Sequence, residues 1–278
     1  ATYAQTLAPY TDFQSDQRNL REQRRGFFDG AWKLHPRWEA RAALARDKFD
    51  YELAAQSFND RTEDVAELEG RYLTPSGSTV GLVLRRIEGS YPNPRPATLG
   101  FLTDDFDQDE LKVRVDWKAT GTTTIQGLAG YARRTQPSFG SGRTSGANGR
   151  FTLLYEPGGK LSARASVWRD FAPLESTLVS YTQNKGVSAS ATWDATGKIR
   201  VEADAVYEKR DYKPRAGFTT SGDLDDSLRS ASLKASWLVR RKLTLSAAWL
   251  YQSRSGSPVL GIGDFKANTF VINASAQF

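Results

Sequence analysis

Apolar and polar residues alternate along the last stretch of the chain. Between residues 266 and 278, Phe270, Ile272, Ala274, Ala276 and Phe278 fall on one face, and the residues between them form a mostly polar face. A period of two is what a β-strand with one apolar and one polar face requires. We therefore predict a strand that runs to the end of this segment.

The same alternation recurs along most of the chain. Residues 199–207 place Ile199, Val201, Ala203, Ala205 and Tyr207 on one face and mainly charged residues on the other. Counted in this way, the pattern predicts about thirteen strands from residue 22 onward, and a partial strand at residues 2–9 makes about fourteen.

The predicted connections alternate between short turns and longer loops. Short turns rich in Gly, Pro, Asp or Ser are predicted near residues 35–37, 74–78, 119–122, 156–159, 194–197 and 239–242. Longer loops are predicted near residues 52–61, 92–106, 135–148, 172–182, 211–226 and 253–265. Sorting of this kind is typical of outer-membrane barrels, whose short turns are periplasmic, whereas a soluble sandwich has no reason for it.

Aromatic residues mark both ends of the predicted strands. Those beside the short turns are Trp32, Trp38, Tyr72, Trp117, Tyr155, Trp193, Trp237 and Phe278, and we predict that they lie at one membrane interface. Those beside the longer loops are Tyr51, Tyr91, Tyr131, Phe171, Tyr207, Trp249 and Tyr251. We predict an all-β fold: a transmembrane antiparallel up-and-down β-barrel of about fourteen strands, forming a single domain over residues 1–278 in the bacterial outer membrane.

Composition agrees with this prediction. The mean hydropathy of −0.55 looks soluble, but a barrel wall alternates lipid-facing and lumen-facing residues, so its average is unremarkable. The apolar runs are too short for a transmembrane helix. Basic residues number 38 and acidic residues 32, and both signs are spread along the strands, so no nucleic-acid partner is expected.

The faces opposite the apolar ones carry a dense set of charges, which we predict to line a lumen. Charges at this density cannot be packed dry, so they imply a hydrated channel, a ladder of cross-strand ion pairs, or both. Arginines and carboxylates could hydrogen-bond to sugar hydroxyls, and a tryptophan could stack on a sugar ring. The predicted substrate path consists of Arg85, Arg114, Asp116, Arg150, Arg164, Trp168, Arg200, Glu202 and Asp204.

No catalytic constellation is predicted, so we do not expect an enzyme. The one histidine, His35, lies in a short turn without a nucleophile partner, and the chain has no cysteine. The acidic run at residues 104–110 suits a solvated loop better than a Ca²⁺ site, so no metal or other cofactor is expected. The glycine-rich segment 140–149 lacks the lysine and the helix of a phosphate-binding loop and is predicted to be a mobile extracellular loop.

Several longer motifs resemble a known family. They include KLHPRWEAR (33–41), SGSTVGLVLRRIEGSYPNP (76–94), DFDQDELKVRVDWKATGTTTIQGLAGYARR (105–134) and LLYEPGGKLSARASVWRD (153–170). Together they resemble the outer-membrane β-barrels of exosortase-associated exopolysaccharide gene clusters, the proposed export barrels for secreted polysaccharide. The chain departs from the family pattern at residues 139–150.

The resemblance implies a function and partners. It implies export of an exopolysaccharide, as used in biofilms, together with a periplasmic polysaccharide-export protein and an inner-membrane synthesis complex. It also implies further N-terminal strands that bring the complete barrel to about sixteen to eighteen. A terminal aromatic such as Phe278 resembles the signal read by the outer-membrane barrel insertion machinery. A general diffusion porin and a non-transporting structural or adhesive barrel stay open as alternatives.

Overall fold

The computed structural model describes residues 1–7, 19–93, 95–97, 100–102, 105–136, 143–173, 179–214, 222 and 224–276. These contain sixteen strands. The strands are β1 (Thr2–Leu7), β2 (Leu20–His35), β3 (Trp38–Tyr51), β4 (Arg61–Leu73), β5 (Thr79–Ser90), β6 (Arg95–Ala97), β7 (Gly100–Leu102), β8 (Phe106–Lys118), β9 (Thr123–Thr135), β10 (Arg143–Tyr155), β11 (Leu161–Pro173), β12 (Val179–Thr196), β13 (Ile199–Pro214), β14 (Asp225–Arg240), β15 (Leu243–Ser255) and β16 (Phe265–Ala276). Within these ranges no helix is long and apolar enough to cross a membrane.

Fourteen of the strands form one antiparallel sheet in which each strand pairs with its neighbour in the sequence. The exception is a small hairpin of β6 and β7, which lies in the connection between β5 and β8, so that β5 pairs directly with β8. This order confirms the predicted fold class and the predicted fourteen strands. Among the described residues, β1 pairs only with β2 and β16 only with β15.

The sheet is inside out compared with a soluble protein. Leu82 and Phe151 are 52% and 49% exposed, whereas Glu69 and Lys112 are only 3% and 5% exposed. We call the exposed apolar side the outer face and the charged side the inner face. In water, a sheet that buries carboxylates and amines on one side and exposes aliphatic side chains on the other would be unfavourable. The outer face therefore requires contact with lipid.

The described aromatic residues beside the short turns lie on the outer face, and their place at a membrane interface stays a prediction. At the other end of the strands the aromatic prediction is wrong at two positions. Trp38, at a short turn, lies on the outer face and packs edge-to-face on Tyr72, with 5.2 Å between the ring centroids. Tyr51 and Tyr91, predicted at the opposite membrane interface, are instead buried, at 7% and 8% exposure. Tyr51 pairs with Arg21 on the inner face, because alternation along β3 places it there. Phe278 lies outside the described residues.

The predicted glycine-rich loop is also corrected. Residues 143–149 belong to β10 and pair regularly with β9, so only part of segment 140–149 can be a loop. Small residues allow a close approach of the two strands here: a Cβ on Gly149 would lie 2.6 Å from the Cα of Ala129. A low-complexity composition therefore reflects tight strand packing rather than a loop at these positions.

Two neighbouring residues of β14 test which face meets lipid. Leu233 lies on the outer face, and Ser232 lies on the inner face opposite Asp204. Arginine facing lipid at mid-membrane depth costs about 2–4 kcal/mol. We expect Leu233→Arg to lower the free energy of unfolding in liposomes by about this amount. Ser232→Arg, which can pair with Asp204, should change it far less. Equal losses in urea titrations of the two variants would contradict the assignment of the faces.

Candidate functional site

The inner face of β3, β4, β5 and β8 carries an ion-pair network centred on Glu67. Arg85 donates from Nε to the Glu67 carboxylate at 2.8 Å and makes a second, closer contact through Nη2. Arg114 donates to the same carboxylate at 3.1 Å, and the Arg41 guanidinium lies 3.8 Å from it. One carboxylate thus holds together arginines from three different strands.

A second carboxylate extends this network across β8 and β10. Lys112 Nζ lies 2.7 Å from Glu110, and Arg85 reaches the same group at 3.4 Å. Gln108 and Asn148 donate side-chain amide hydrogens to Glu110 at 2.7 and 3.2 Å. Four donors thus surround Glu110 and fix its position on the inner wall.

The network is electrically balanced. Its five cations are Arg41, Arg71, Arg85, Lys112 and Arg114, and its five carboxylates are Asp29, Glu39, Glu67, Glu69 and Glu110. Paired charges of this kind keep their hydrogen-bonding capacity but produce little net field. This wall can therefore bind polar groups without a strong preference for anions or cations.

A tryptophan platform forms the second feature of the inner face. The ring of Trp168 on β11 covers Gly186 on β12, where a Cβ would come within 2.2 Å of the ring. Trp168 Nε1 donates to Glu208 on β13 at 3.3 Å. The guanidinium of Arg150 lies 4.8 Å from the ring centroid and pairs with Asp170 at 3.5 Å. An aromatic ring packed over a glycine of the wall and bordered by charged groups is a surface on which a sugar ring could stack.

The remaining predicted residues lie on the inner face of β11 and β13. Arg200 pairs with Asp194 at 2.7 Å, and Lys234 Nζ lies 3.1 Å from Glu202. Asp204 accepts a hydrogen bond from Ser232 at 3.2 Å. Arg164 has no carboxylate partner within the described ranges, and in register it faces Ser190.

The nine predicted residues therefore share one face but do not form one site. A groove of about 470 Å³ connects the ion-pair network with Arg150 and is lined by Arg85, Arg114, Asp116 and Gln126, among others. Asp116 accepts a hydrogen bond from Gln126 at 3.1 Å within it. Arg164, Arg200, Glu202 and Asp204 lie beyond this groove. Their role as a substrate path stays a prediction.

Some residues of this surface were missed by the sequence analysis. Asn148 was overlooked because its segment was assigned to a loop, yet it donates to Glu110. Gly186 and Asp170 complete the surroundings of Trp168 and Arg150. A glycine paired with a tryptophan of the inner face could have indicated this site. That pairing can be recognised only when the strand register is known, and the sequence alone does not give the register.

The connection between β3 and β4 lies at the end of the sheet where the longer connections are found. It folds into a short 3-10 turn (Ala54–Asn59), and its Gln56 side chain is fully buried and accepts a hydrogen bond from Asn19 at 2.9 Å. Asn93, after β5, donates to the backbone of Ser57 at 2.8 Å and to Asp60 at 3.2 Å. Burial raises the pKa of the Asp60 carboxyl. The two connections are thus tied together by polar contacts.

Comparison with known proteins shows the fold. No protein-family model and no curated protein matches the chain. Among solved structures, it is similar to the alcaligin outer-membrane receptor FauA of Bordetella pertussis, with 14% identity, a TM-score of 0.55 and coverage of 94% of this chain and 51% of that one. The FrpB iron transporter of Neisseria meningitidis gives 11% identity, a TM-score of 0.59, and coverage of 94% and 49%.

The copper transporter OprC is also similar, with 9% identity, a TM-score of 0.53, and coverage of 87% of this chain and 49% of that one. The chain thus spans about half the length of each of these three proteins. At such low identities the likeness establishes the architecture of an outer-membrane β-barrel, in agreement with the exposed apolar face.

The central carboxylate of the network provides a direct test of its role. Glu67 is 10% exposed and serves three arginines, whereas Glu88 on the outer face is 57% exposed. We expect Glu67→Gln to lower the free energy of unfolding by about 1–3 kcal/mol, because three half-buried guanidinium groups lose a charged partner. Glu88→Gln should change it by less than about 1 kcal/mol. Urea titration in liposomes measures both, and similar effects of the two variants would rule out a special role for Glu67.

Proposed function

We propose that this chain, which has the fold of an outer-membrane β-barrel, forms the wall of a conduit through which a secreted exopolysaccharide crosses the bacterial outer membrane. One observation carries the proposal: the inner face combines balanced ion pairs with the tryptophan platform formed by Trp168 over Gly186. A wall of this kind offers many hydrogen bonds and a stacking surface but little net charge. These are the properties that a hydroxyl-rich polymer requires for passage.

The ion-pair network supports passage rather than tight binding. Its arginines and carboxylates are already paired with one another, so a passing hydroxyl group can exchange with water only at the hydrogen-bond sites that the ion pairs leave open. A single unpaired cation cluster would instead hold a polyanion and slow its exit. The balance therefore favours an uncharged or weakly charged polymer.

The position of the platform supports the same function. Arg150 belongs both to the platform and to the groove that leads to Arg85 and Arg114. A chain of sugars could thus contact Trp168 and the groove at once, which a single small solute could not. Within this proposal, a periplasmic export protein and an inner-membrane synthesis complex would deliver the polymer.

Uptake of a small solute is the second candidate, because the similar solved structures include an iron transporter and a copper transporter. On that account the inner face would be a general polar lining, and the platform would have no particular ligand. The two functions differ in whether oligosaccharides compete with ion flow.

Planar-bilayer conductance of the purified protein, with and without exopolysaccharide fragments, tests the proposal. We expect ion flow that the fragments block. Replacing the platform, Trp168→Ala, should weaken the block about twofold to tenfold through loss of the stacking surface. The matched control is Trp193→Ala, which removes a tryptophan from the outer face and should leave the block unchanged.

The outcome separates the candidates. If ion flow is insensitive to the fragments, the protein is a small-solute channel and the exopolysaccharide proposal is wrong. If the fragments block but Trp168→Ala and Trp193→Ala behave alike, export stands and the assignment of the platform fails.

A further inference from the structure

The outer face carries a row of cations next to its apolar band. Arg169, Lys185 and Lys209 lie directly opposite one another on β11, β12 and β13, and we call them the basic row. Like charges at directly opposed positions of a sheet repel one another. A row of three is therefore unfavourable unless an anion lies over it.

The anions of the chain itself compensate this row only in part. Lys185 Nζ lies 2.6 Å from Asp211, and Lys209 pairs with Asp225. Arg169 donates to the neutral side chain of Gln183 at 3.2 Å, and no carboxylate of the described residues pairs with it. The basic row thus keeps an excess of positive charge on an exposed surface.

Charge is also divided unevenly around the outer face. At the strand ends next to the longer connections, the described outer-face residues of β1–β8 contribute four cations and six carboxylates, whereas those of β9–β16 contribute eight cations and two carboxylates. The first half has Arg24, Arg46, Lys48 and Arg86 with Glu22, Asp50, Asp64, Glu88, Asp107 and Asp109. The second half has Arg133, Arg143, Arg169, Lys185, Lys209, Lys213, Arg229 and Lys266 with Asp211 and Asp225.

An apolar row lies beside the basic row. Val167, Val187 and Tyr207 are likewise directly opposed, two residues away along each strand, and are 51%, 49% and 39% exposed. Acyl chains can cover this row, because it belongs to the lipid-facing band. The basic row then lies at the depth where the anionic headgroups of the same lipids begin.

We propose that the outer face of β11–β13 is a binding site for the phosphorylated glycolipid of the outer leaflet. Strands are spaced about 4.8 Å apart, so the basic row spans roughly 10 Å across three strands. A headgroup that carries two phosphates can contact both ends of such a row, and its acyl chains then lie along Val167, Val187 and Tyr207. The site is independent of the proposed passage through the inner face.

Native mass spectrometry of the purified, delipidated protein with added bis-phosphorylated lipid A tests this site. We expect the triple variant R169Q/K185Q/K209Q to bind the lipid roughly tenfold to hundredfold more weakly, since each surface cation contributes to anionic-lipid attraction. The matched control R46Q/K48Q/R86Q removes three cations from the other half of the outer face and should bind as the unchanged protein does. Dephosphorylated lipid A should bind weakly to all three proteins.

Folding and alternative occupants are distinguishable in the same experiment. Heat-dependent migration in gels reports folding, and K185R/K209R, which keeps the charge, should retain binding. Equal loss in the two triple variants, or equal binding of the dephosphorylated lipid, would overturn the proposal. So would a dimer without bound lipid, because the basic half would then face the acidic half of a second copy.

Discussion

Backbone hydrogen bonding in lipid is the constraint on which the rest of this structure depends. The bilayer core offers no water to an unpaired N–H or C=O group, so a chain without spanning helices must pair its strands with one another. From β2 to β15, every strand of the main sheet has a partner on both sides. Alternation then follows: once the sheet is immersed, one side of each strand must be apolar and the other is free to be charged.

The same constraint applies to the two strands at the ends of the sheet. Among the described residues, β1 and β16 each have one neighbour, which leaves one edge of each strand to be satisfied. The similar solved structures are about twice as long as this chain, and in a closed barrel these edges would be paired.

The period-two pattern was sufficient to predict the fold, because alternation, turn residues and loop lengths all point to the same architecture. It was insufficient at particular positions. Tyr51 was assigned to the lipid interface because it lies at a strand end. Successive side chains of a strand alternate between the two faces, however, and this alternation places Tyr51 on the inner face. Arg143 and Asn148 were assigned to a loop, because glycine-rich composition signals mobility as readily as close strand packing.

The inner face could be predicted as a set of residues but not as an arrangement. Which arginine pairs with Glu67 depends on strand register and stagger, and these follow from the whole sheet. The need for a glycine at position 186 becomes clear only from the structure, in which the Trp168 ring lies over it. Local sequence therefore predicts which face a residue occupies, whereas cross-strand geometry decides what it contacts.

The central claim is that the charged face lines water and the apolar face meets lipid. The chain contains no cysteine, so single cysteines can be placed at four successive positions of β10, namely Arg150, Phe151, Thr152 and Leu153. Labelling in liposomes with a small, charged thiol reagent measures which of them contact water. We predict reaction at positions 150 and 152 and protection at 151 and 153. Uniform labelling, or the reverse pattern, would contradict the account.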